Sequence, residues 1–258
     1  MTATTIDEVI ENLEQIIQES ISEESTLGYF AALYQNVTIH IKEKLGKNYF
    51  DDDKRMEQLD VIFANRYLTA YAKYKEKKEV TKSWAIAFKS STDSMLIVLQ
   101  HLLLGMNAHI NLDLGIAASE VTDDKTIKSL ESDFNKINEL LATLVDEVQK
   151  DLAEIWPTLL KILKFLKKVD DFLINFSMKL ARNKAWEFAN ELVKGDKEKK
   201  EKLLELKDLE VSEFSEKIIN PGILVKILFT IIRLGERGKS SDKTKKLEKL
   251  IENKLDNH

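Results

Sequence analysis

The sequence predicts an all-α protein, a multi-helix bundle, from its turn content, its periodicity and its composition. Gly and Pro supply only 8 and 2 of the 258 residues. So few turn-forming residues do not suit sandwiches, barrels or alternating strand–helix arrays. Apolar residues recur at helical spacing along most of the chain. A hydrophobic share of 43% beside 32% charged residues is typical of a globular protein rather than a disordered one.

The first three helices are indicated by apolar stripes with turn or capping residues between them. The stripe over residues 6–21 predicts the first helix, and a second follows Gly28 and ends near Gly46. The aspartates at 51–53 can cap a third helix that runs to about Lys77.

A long fourth helix, about 84–118, is predicted to be the buried centre of the bundle. Leu96–Leu104 is apolar on nearly all sides, as expected for a helix that neighbours surround. Gly105 is expected to kink this helix and to leave room beside it for an ion, a water molecule or a substrate.

The second half of the chain reads as further helices with clear interruptions. Pro157 breaks the pattern, Gly195 is a plausible stop, and Pro221-Gly222 marks the clearest joint. We therefore divide the chain into a helical bundle domain, residues 1–195, which carries the polar cluster described below, and a C-terminal helical extension, residues 196–258, packed on it.

Charge and cysteine content exclude several classes of function. A net charge of −5 gives no general attraction to nucleic acid. With no cysteine, the chain forms no disulfide, thiolate zinc site, iron–sulfur cluster or cysteine nucleophile. The N-terminus lacks the pattern of a secretory signal, and no apolar stretch reaches the ~18 residues of a transmembrane span. We therefore expect a cytoplasmic protein without nucleic-acid partners.

The segment 100–115 carries the most promising chemistry. His109 and Asp113 are four residues apart, which places them one turn apart on one helix face. Such a pair can share a metal ion, or the carboxylate can orient the imidazole as a base. His101 lies eight residues before His109, roughly on the same stripe. His101, His109 and Asp113 are the candidate catalytic residues.

Residues around this cluster are candidate metal ligands and substrate contacts. Asp60, on an apolar face of the third helix, is either a further metal ligand or the partner of Arg66 or of another base. With His101, His109 and Asp113 it would hold one divalent ion (zinc, iron or manganese), and no other cofactor is expected. The candidate substrate-binding residues are Asn107, Asn111, Tyr67, Trp84 and Arg66.

The sequence around the cluster resembles the signature of an uncharacterised bacterial family of all-helical domains with a His-Ile-Asn-x-Asp-Leu core. Here that core is residues 109–114. The resemblance takes in Phe63–Tyr67, Ser83-Trp84 and Ala181-Arg182 with Trp186, and covers roughly residues 30–195. It implies an all-helical fold and transfers no activity.

His109 and Asp113, after an upstream histidine, are also distantly similar to the central helix of the zinc-dependent phospholipase C and P1 nuclease superfamily. Those all-helical proteins bind several zinc ions through histidines, aspartates and an N-terminal Trp. This chain lacks that Trp, and no histidine follows Asp113 until His258. The similarity implies at most one metal ion and metal-assisted hydrolysis.

Two functions therefore stay open. The first is an enzyme that acts on a small lipid-like or aromatic molecule in a pocket between helices, through a metal-activated water or through His109 as a general base. The second is a non-catalytic binding or scaffold protein whose His/Asp cluster is structural. In that case surface helices, 159–168 or 223–234, would carry the function, and the C-terminal helices could form a homo-oligomer.

Overall fold

The computed structural model describes residues 1–137, 140, 178–236 and 238–255, and in these residues it contains helices and no strand. The predicted all-α class is confirmed. The helices are α1 (Ile6–Ser22), α2 (Gly28–Lys44), α3 (Asp53–Lys75), α4 (Lys82–Lys89), α5 (Val98–Ala108), α6 (Leu114–Glu120), α7 (which includes residues 127–137), α8 (Met178–Lys194), α9 (Lys197–Ile219), α10 (Ile223–Gly235) and α11 (Ser240–Leu255).

Short polar side chains set several helix starts. Thr5, Asp52 and Asp196 each accept a hydrogen bond from the backbone N–H three residues later, at the starts of α1, α3 and α9. The first N–H groups of a helix have no partner within the helix, so a capping oxygen stabilises its start. This is why the predicted starts of α1 and α3 agree closely with the structure.

The predicted fourth helix is interrupted. α4 ends at Lys89, a short 3₁₀ turn covers Ser90–Thr92, and α5 begins only at Val98. In this Ser/Thr/Asp-rich run the Thr92 hydroxyl donates to the Lys89 carbonyl, and Asp93 accepts from the Met95 N–H. Such local bonds compete with the helical ones. The buried central segment is therefore 98–120 rather than 84–118.

Gly105 lies inside the continuous helix α5 and leaves little open space beside it. A methyl group added to it would stand 2.5 Å from the ring of Phe30, and the cavity that it lines measures only about 20 Å³. Phe30 thus occupies the room that we expected for a ligand. The irregularity comes later, as one π turn over His109–Asp113 that joins α5 to α6.

The core joins helices from both ends of the chain. Val225, Leu228, Phe229 and Ile232 of α10 belong to the same hydrophobic cluster as buried residues of α1 to α5. A second cluster joins α3, α6, α7 and α8, and α9 lies across α4 and α5. The central segment 98–120 is thereby enclosed by helices on several sides.

Within the described ranges, no helix is both long and apolar enough to cross a membrane. The predicted break at Pro157 and the basic run 159–168 lie outside the described residues.

Candidate active site

His109 and Asp113 face each other across the π turn, as their spacing predicts. The Nδ1 atom of His109 lies 3.2 Å from Oδ2 of Asp113, and both side chains are buried. A π turn is rare within helices and is frequently found at functional sites.

Two other side chains hold Asp113 in place. Arg66 Nε, on α3, donates to Oδ1 at 2.8 Å, and Trp84 Nε1, on α4, donates to Oδ2 at 2.8 Å. Burial alone would raise the pKa of Asp113, but the hydrogen bond from His109 and the charge of Arg66 outweigh it and hold the pKa below its ordinary value. Asp113 is therefore an ionised carboxylate with three donors.

The ionised state of Asp113 fixes the tautomer of His109. A carboxylate only accepts hydrogen bonds, so Nδ1 of His109 carries the proton and Nε2 is unprotonated. Burial lowers the pKa of His109, while the bond to Asp113 opposes this effect. Its Nε2 is buried and has no hydrogen-bond partner in the described structure. His109 is thus a neutral, oriented imidazole with an unused basic nitrogen.

An apolar cavity of about 60 Å³, here called the inner cavity, lies against His109. Asp60 also lines it, and its side chain is only 2% exposed. Neither carboxyl oxygen of Asp60 has a hydrogen-bond partner among the described residues. Burial, with a smaller contribution from the charge of Glu57, raises the pKa of Asp60 to about 7.

Aromatic rings form much of the wall around His109. The Phe63 ring stacks on the imidazole with centroids 3.6 Å apart, and Tyr34 meets it edge-on at 4.5 Å. Phe30 contacts it edge-on at 5.7 Å. We did not predict these three residues as part of the site. Phe63 could have been found, because it lies three residues after Asp60 on the same helix face.

On the other side of Asp113 is a polar surface cleft of about 400 Å³, here called the outer cleft. Arg66, Asp113 and Trp84 line it, and the Arg66 side chain is 30% exposed. Its other polar lining residues are Asn65, Thr69, Lys73, Thr81 and Glu120. The Asp113 carboxylate therefore contacts this cleft on one side and His109 on the other.

His101 is not part of this arrangement. It lines a different, polar cavity of about 170 Å³ together with Tyr29, Glu236 and Lys243. The Tyr29 ring lies edge-on at 5.9 Å, and burial lowers the pKa of His101 to about 4. The structure therefore brings together two of the three candidate catalytic residues.

The two candidate asparagines serve helix packing instead of facing the inner cavity. Asn107 Nδ2 donates to the Val211 carbonyl at 2.8 Å and to Ser215 Oγ at 2.9 Å, both on α9. Asn111 Nδ2 in turn donates to Asn107 Oδ1. Tyr67, another candidate, is buried against Trp84 with ring centroids 5.1 Å apart. Of the five candidate substrate contacts, Arg66 and Trp84 adjoin the His109–Asp113 pair through hydrogen bonds.

The four predicted metal ligands do not form one group. No set of three or more His, Asp or Glu side chains in the described ranges is arranged to hold a metal ion. Both oxygens of Asp113 already accept hydrogen bonds, and His101 lines another cavity. Asp60 does not pair with Arg66 either, since Arg66 bonds Asp113.

Comparison with known proteins places the chain in a family but gives no activity. Residues 6–221 match the family model described as a family of unknown function, DUF5995. No curated protein and no solved structure matches the chain. The matched range contains the His109–Asp113 pair with Arg66, Trp84 and Asp60. The protein therefore belongs to this family of unknown function.

Proposed function

We propose that this protein is an enzyme in which His109 acts as a general base on a small molecule bound in the inner cavity. The observation that carries the proposal is the unpartnered Nε2 of His109 at an apolar cavity. Most buried polar groups are hydrogen-bonded, so an unpartnered imidazole nitrogen beside a cavity favours a role in which a ligand supplies its partner. A base that awaits a substrate proton leaves one nitrogen free.

Asp113 has a defined part in this chemistry. Its bond to Nδ1 keeps the basic nitrogen directed away from the carboxylate, and its charge would stabilise the imidazolium that forms when His109 takes a proton. Arg66 and Trp84 act as positioning residues, because they hold Asp113 through both of its oxygens.

The cavity supports a substrate with a small apolar part. About 60 Å³ is well below the ~150 Å³ of a cavity that encloses benzene, and water takes about 30 Å³ in the liquid. The volume suits a short aliphatic group or the end of a lipid-like chain better than an aromatic ring. The inner cavity is thus the proposed site for the reacting end of the molecule.

Metal-assisted hydrolysis, implied by the similarity to phospholipase C, has less support than base catalysis without a metal. The oxygens of Asp113 are engaged by Arg66 and Trp84, and His101 faces a separate cavity. Of the predicted ligands, only Asp60 and His109 line the inner cavity, and a bound zinc ion usually has three or four protein ligands.

A second candidate, a non-catalytic scaffold whose His109–Asp113 pair is structural, is favoured by the burial of that pair. His109 is 2% exposed and Asp113 is 1% exposed. Self-association through the C-terminal helices is a further proposal, supported by four exposed apolar residues of α10: Ile223, Ile227, Ile231 and Leu234. The cytoplasmic location stays a prediction.

The enzyme proposal can be tested without a known substrate. A small-molecule extract of cells is incubated with the wild-type protein or with His109→Gln, and mass spectrometry follows every compound. We expect at least one compound to be consumed by the wild type and converted about 10²–10⁴-fold more slowly by the variant. His40→Gln is the matched control, since His40 bonds the Asn36 carbonyl and does not line the inner cavity.

Two results would contradict the proposal. Either no compound changes with the wild-type protein, or folded His109→Gln converts the same compounds at the wild-type rate. If His109→Gln does not fold, Asp113→Asn replaces it, because the altered partner disturbs the tautomer of His109 while leaving the ring in place.

A further inference from the structure

We propose that the inner cavity binds the amino group of a small aliphatic amine, in its ammonium form, between Asp60 and His109. This inference rests on the proposed function, since it names the polar group of the substrate on which His109 would act. Three features of the cavity support it: the polar atoms that lack hydrogen-bond partners, the charge, and the lining residues.

The cavity has more unpartnered acceptors than unpartnered donors. Oδ1 and Oδ2 of Asp60, Nε2 of His109 and the hydroxyl of Tyr34 are buried and have no partner among the described residues, and only the hydroxyl can donate when Asp60 is ionised. A buried polar atom without a hydrogen bond has lost its contact with water and gained nothing in return, so a ligand that satisfies these atoms gains affinity. An ammonium group carries three N–H donors, enough for both oxygens of Asp60 and for Nε2 of His109. A hydroxyl group offers one.

The charge of the cavity also favours a cation. Asp113 is balanced by Arg66, whereas no cation in the described structure pairs with Asp60. Glu57, one turn before Asp60, adds further negative charge. The ionised Asp60 carboxylate therefore lacks a counter-ion that a bound ammonium would supply, and an anionic ligand would be repelled.

The walls suit a cation with a short aliphatic chain. Phe30, Tyr34 and Phe63 present aromatic rings to the cavity, and aromatic faces attract ammonium groups. The rest of the described lining is aliphatic, including Leu33 and Met106. A volume of about 60 Å³, roughly that of two water molecules, fits an amino group with one or two carbon atoms. The amine is a free small molecule or the amino end of a longer chain.

The test compares three probes of nearly equal size: ethylammonium, ethanol and acetate. Each is titrated into the isotope-labelled full-length protein at constant ionic strength, and NMR follows the signals of residues around the inner cavity. We expect saturable shifts near Asp60 and His109 with ethylammonium, binding about tenfold weaker with ethanol, and none with acetate. Affinities should be millimolar, since three non-hydrogen atoms support little more. Hexylammonium, a longer amine, distinguishes the two sources of the amino group. It should bind if the site accepts the amino end of a longer chain, and it should not bind if the site accepts only a free small amine.

Variants locate the binding group. Asp60→Asn keeps the shape of the side chain but removes the charge, so it should weaken ethylammonium about tenfold or more and leave ethanol within about threefold. Asp124→Asn is the control, because Asp124 is exposed and does not line the cavity, and it should change ethylammonium affinity less than about threefold.

The pH dependence of the wild type gives a readout that needs no variant. Since the pKa of Asp60 is about 7, ethylammonium affinity should fall up to about tenfold per pH unit below pH 7 and level off above it. Ethanol affinity should vary much less. The other ionisable groups near Asp60 are Glu57 on α3, Tyr34 on α2 and His109 in the π turn, and burial together with nearby carboxylates keeps the pKa of Tyr34 well above its ordinary value.

Three results would overturn the inference. Ethylammonium binds no better than ethanol, or a folded Asp60→Asn protein binds ethylammonium as well as the wild type does. The third is an ethylammonium affinity of the wild type that does not change with pH, and this result counts even if Asp60→Asn fails to fold. The inference and the enzyme proposal fail separately. Amine binding without His109-dependent conversion contradicts the enzyme, and conversion without amine binding contradicts the amine.

Discussion

At the scale of single residues, Asp113 organises the site. Its carboxylate receives donors from three different parts of the chain: Arg66 on α3, Trp84 on α4 and His109 in its own turn. A buried charge is tolerable only when it is paired and hydrogen-bonded. Replacing Arg66 or Trp84 is therefore expected to loosen the position of His109 as well as to lower the stability of the fold.

The first prediction concerns Asp113→Asn. The variant leaves the Arg66 charge without its partner and gives Trp84 a poorer acceptor, so we expect it to lose about 3 kcal/mol of unfolding free energy. Urea denaturation measures the loss. The matched control, Asp124→Asn, changes an exposed aspartate and should stay within about 0.5 kcal/mol of the wild type. Equal stability of the two variants would show that Asp113 is not a structural centre.

The second prediction concerns Asp60, which lowers stability once it is ionised. Its pKa is about 7 in the folded protein against an ordinary 3.8, so the folded state binds its proton more tightly than the unfolded state does. Stability is thus lost as pH rises from about 4 through 7. Asp60→Asn removes this loss. The unfolding free energy of the variant minus that of the wild type should therefore be roughly 2–3 kcal/mol larger at pH 8 than at pH 5.

Denaturation of both proteins at both pH values checks this prediction, because all other titrating groups are common to the two. A difference in unfolding free energy between Asp60→Asn and the wild type that does not grow with pH would contradict the interpretation of Asp60 as a buried carboxyl without a counter-ion.

Some contacts of the site residues could be predicted from the sequence, and others could not. The pairing of His109 with Asp113 follows from their spacing, because i and i+4 share a helix face. The position of His101 does not follow in the same way. Eight residues of an α-helix end about 80° off the starting direction, enough for His101 to face another cavity. The bond of Arg66 to Asp113 joins residues far apart in the chain, and periodicity holds no information about it.

At the scale of elements, the contact between α2 and α5 decides the shape of the site. Phe30 of α2 packs directly on Gly105 of α5 and also contacts the His109 ring. A larger residue at 105 would hold the two helices apart. Gly105 is needed here for close approach rather than for backbone freedom.

The third prediction follows from this contact. Gly105→Ala places a methyl group 2.5 Å from the Phe30 ring, so either the ring or the helix must move, and we expect a loss of about 1–3 kcal/mol despite the better helix propensity of alanine. Thermal and urea unfolding measure it. Gly235→Ala is the control, because a methyl group there meets nothing within 4 Å. A Gly105→Ala protein as stable as this control would contradict the packing.

Helix ends were more predictable than helix irregularities. The N-caps at Thr5, Asp52 and Asp196 depend on residues close together in the chain, and Thr and Asp are residue types preferred at such positions. The break after Lys89 also has a local cause, the Ser/Thr/Asp-rich run, although the apolar residues on both sides conceal it. The π turn over His109–Asp113 has no such sequence signal, because it depends on the helices packed around it.

At the scale of the whole molecule, the C-terminal helices complete the core. α10 lies beyond residue 221, where the family match ends, yet four of its side chains enter the main hydrophobic cluster. Its other face leaves Ile223, Ile227, Ile231 and Leu234 exposed. The all-α class was predictable from composition, while the choice of helix neighbours was not, because it rests on contacts between distant segments.

The fourth prediction compares the two faces of α10. Phe229 is 3% exposed and Ile231 is 52% exposed. Phe229→Ala should lose about 3–5 kcal/mol of unfolding free energy, with one cooperative transition for the chain, while Ile231→Ala should stay within about 0.5 kcal/mol. Equal effects, or a separate early transition in Phe229→Ala, would show that α10 is not part of the common core.

The enzyme proposal depends above all on His109 being a neutral base whose Nε2 is free at the inner cavity. Nitrogen-15 NMR of the histidine rings detects this state, with His109→Gln to assign the signal. We expect a proton on Nδ1, an unprotonated Nε2 and a ring that remains mostly neutral at pH 6.5, where an ordinary histidine is half protonated. A proton on Nε2, or an imidazolium at neutral pH, would contradict it.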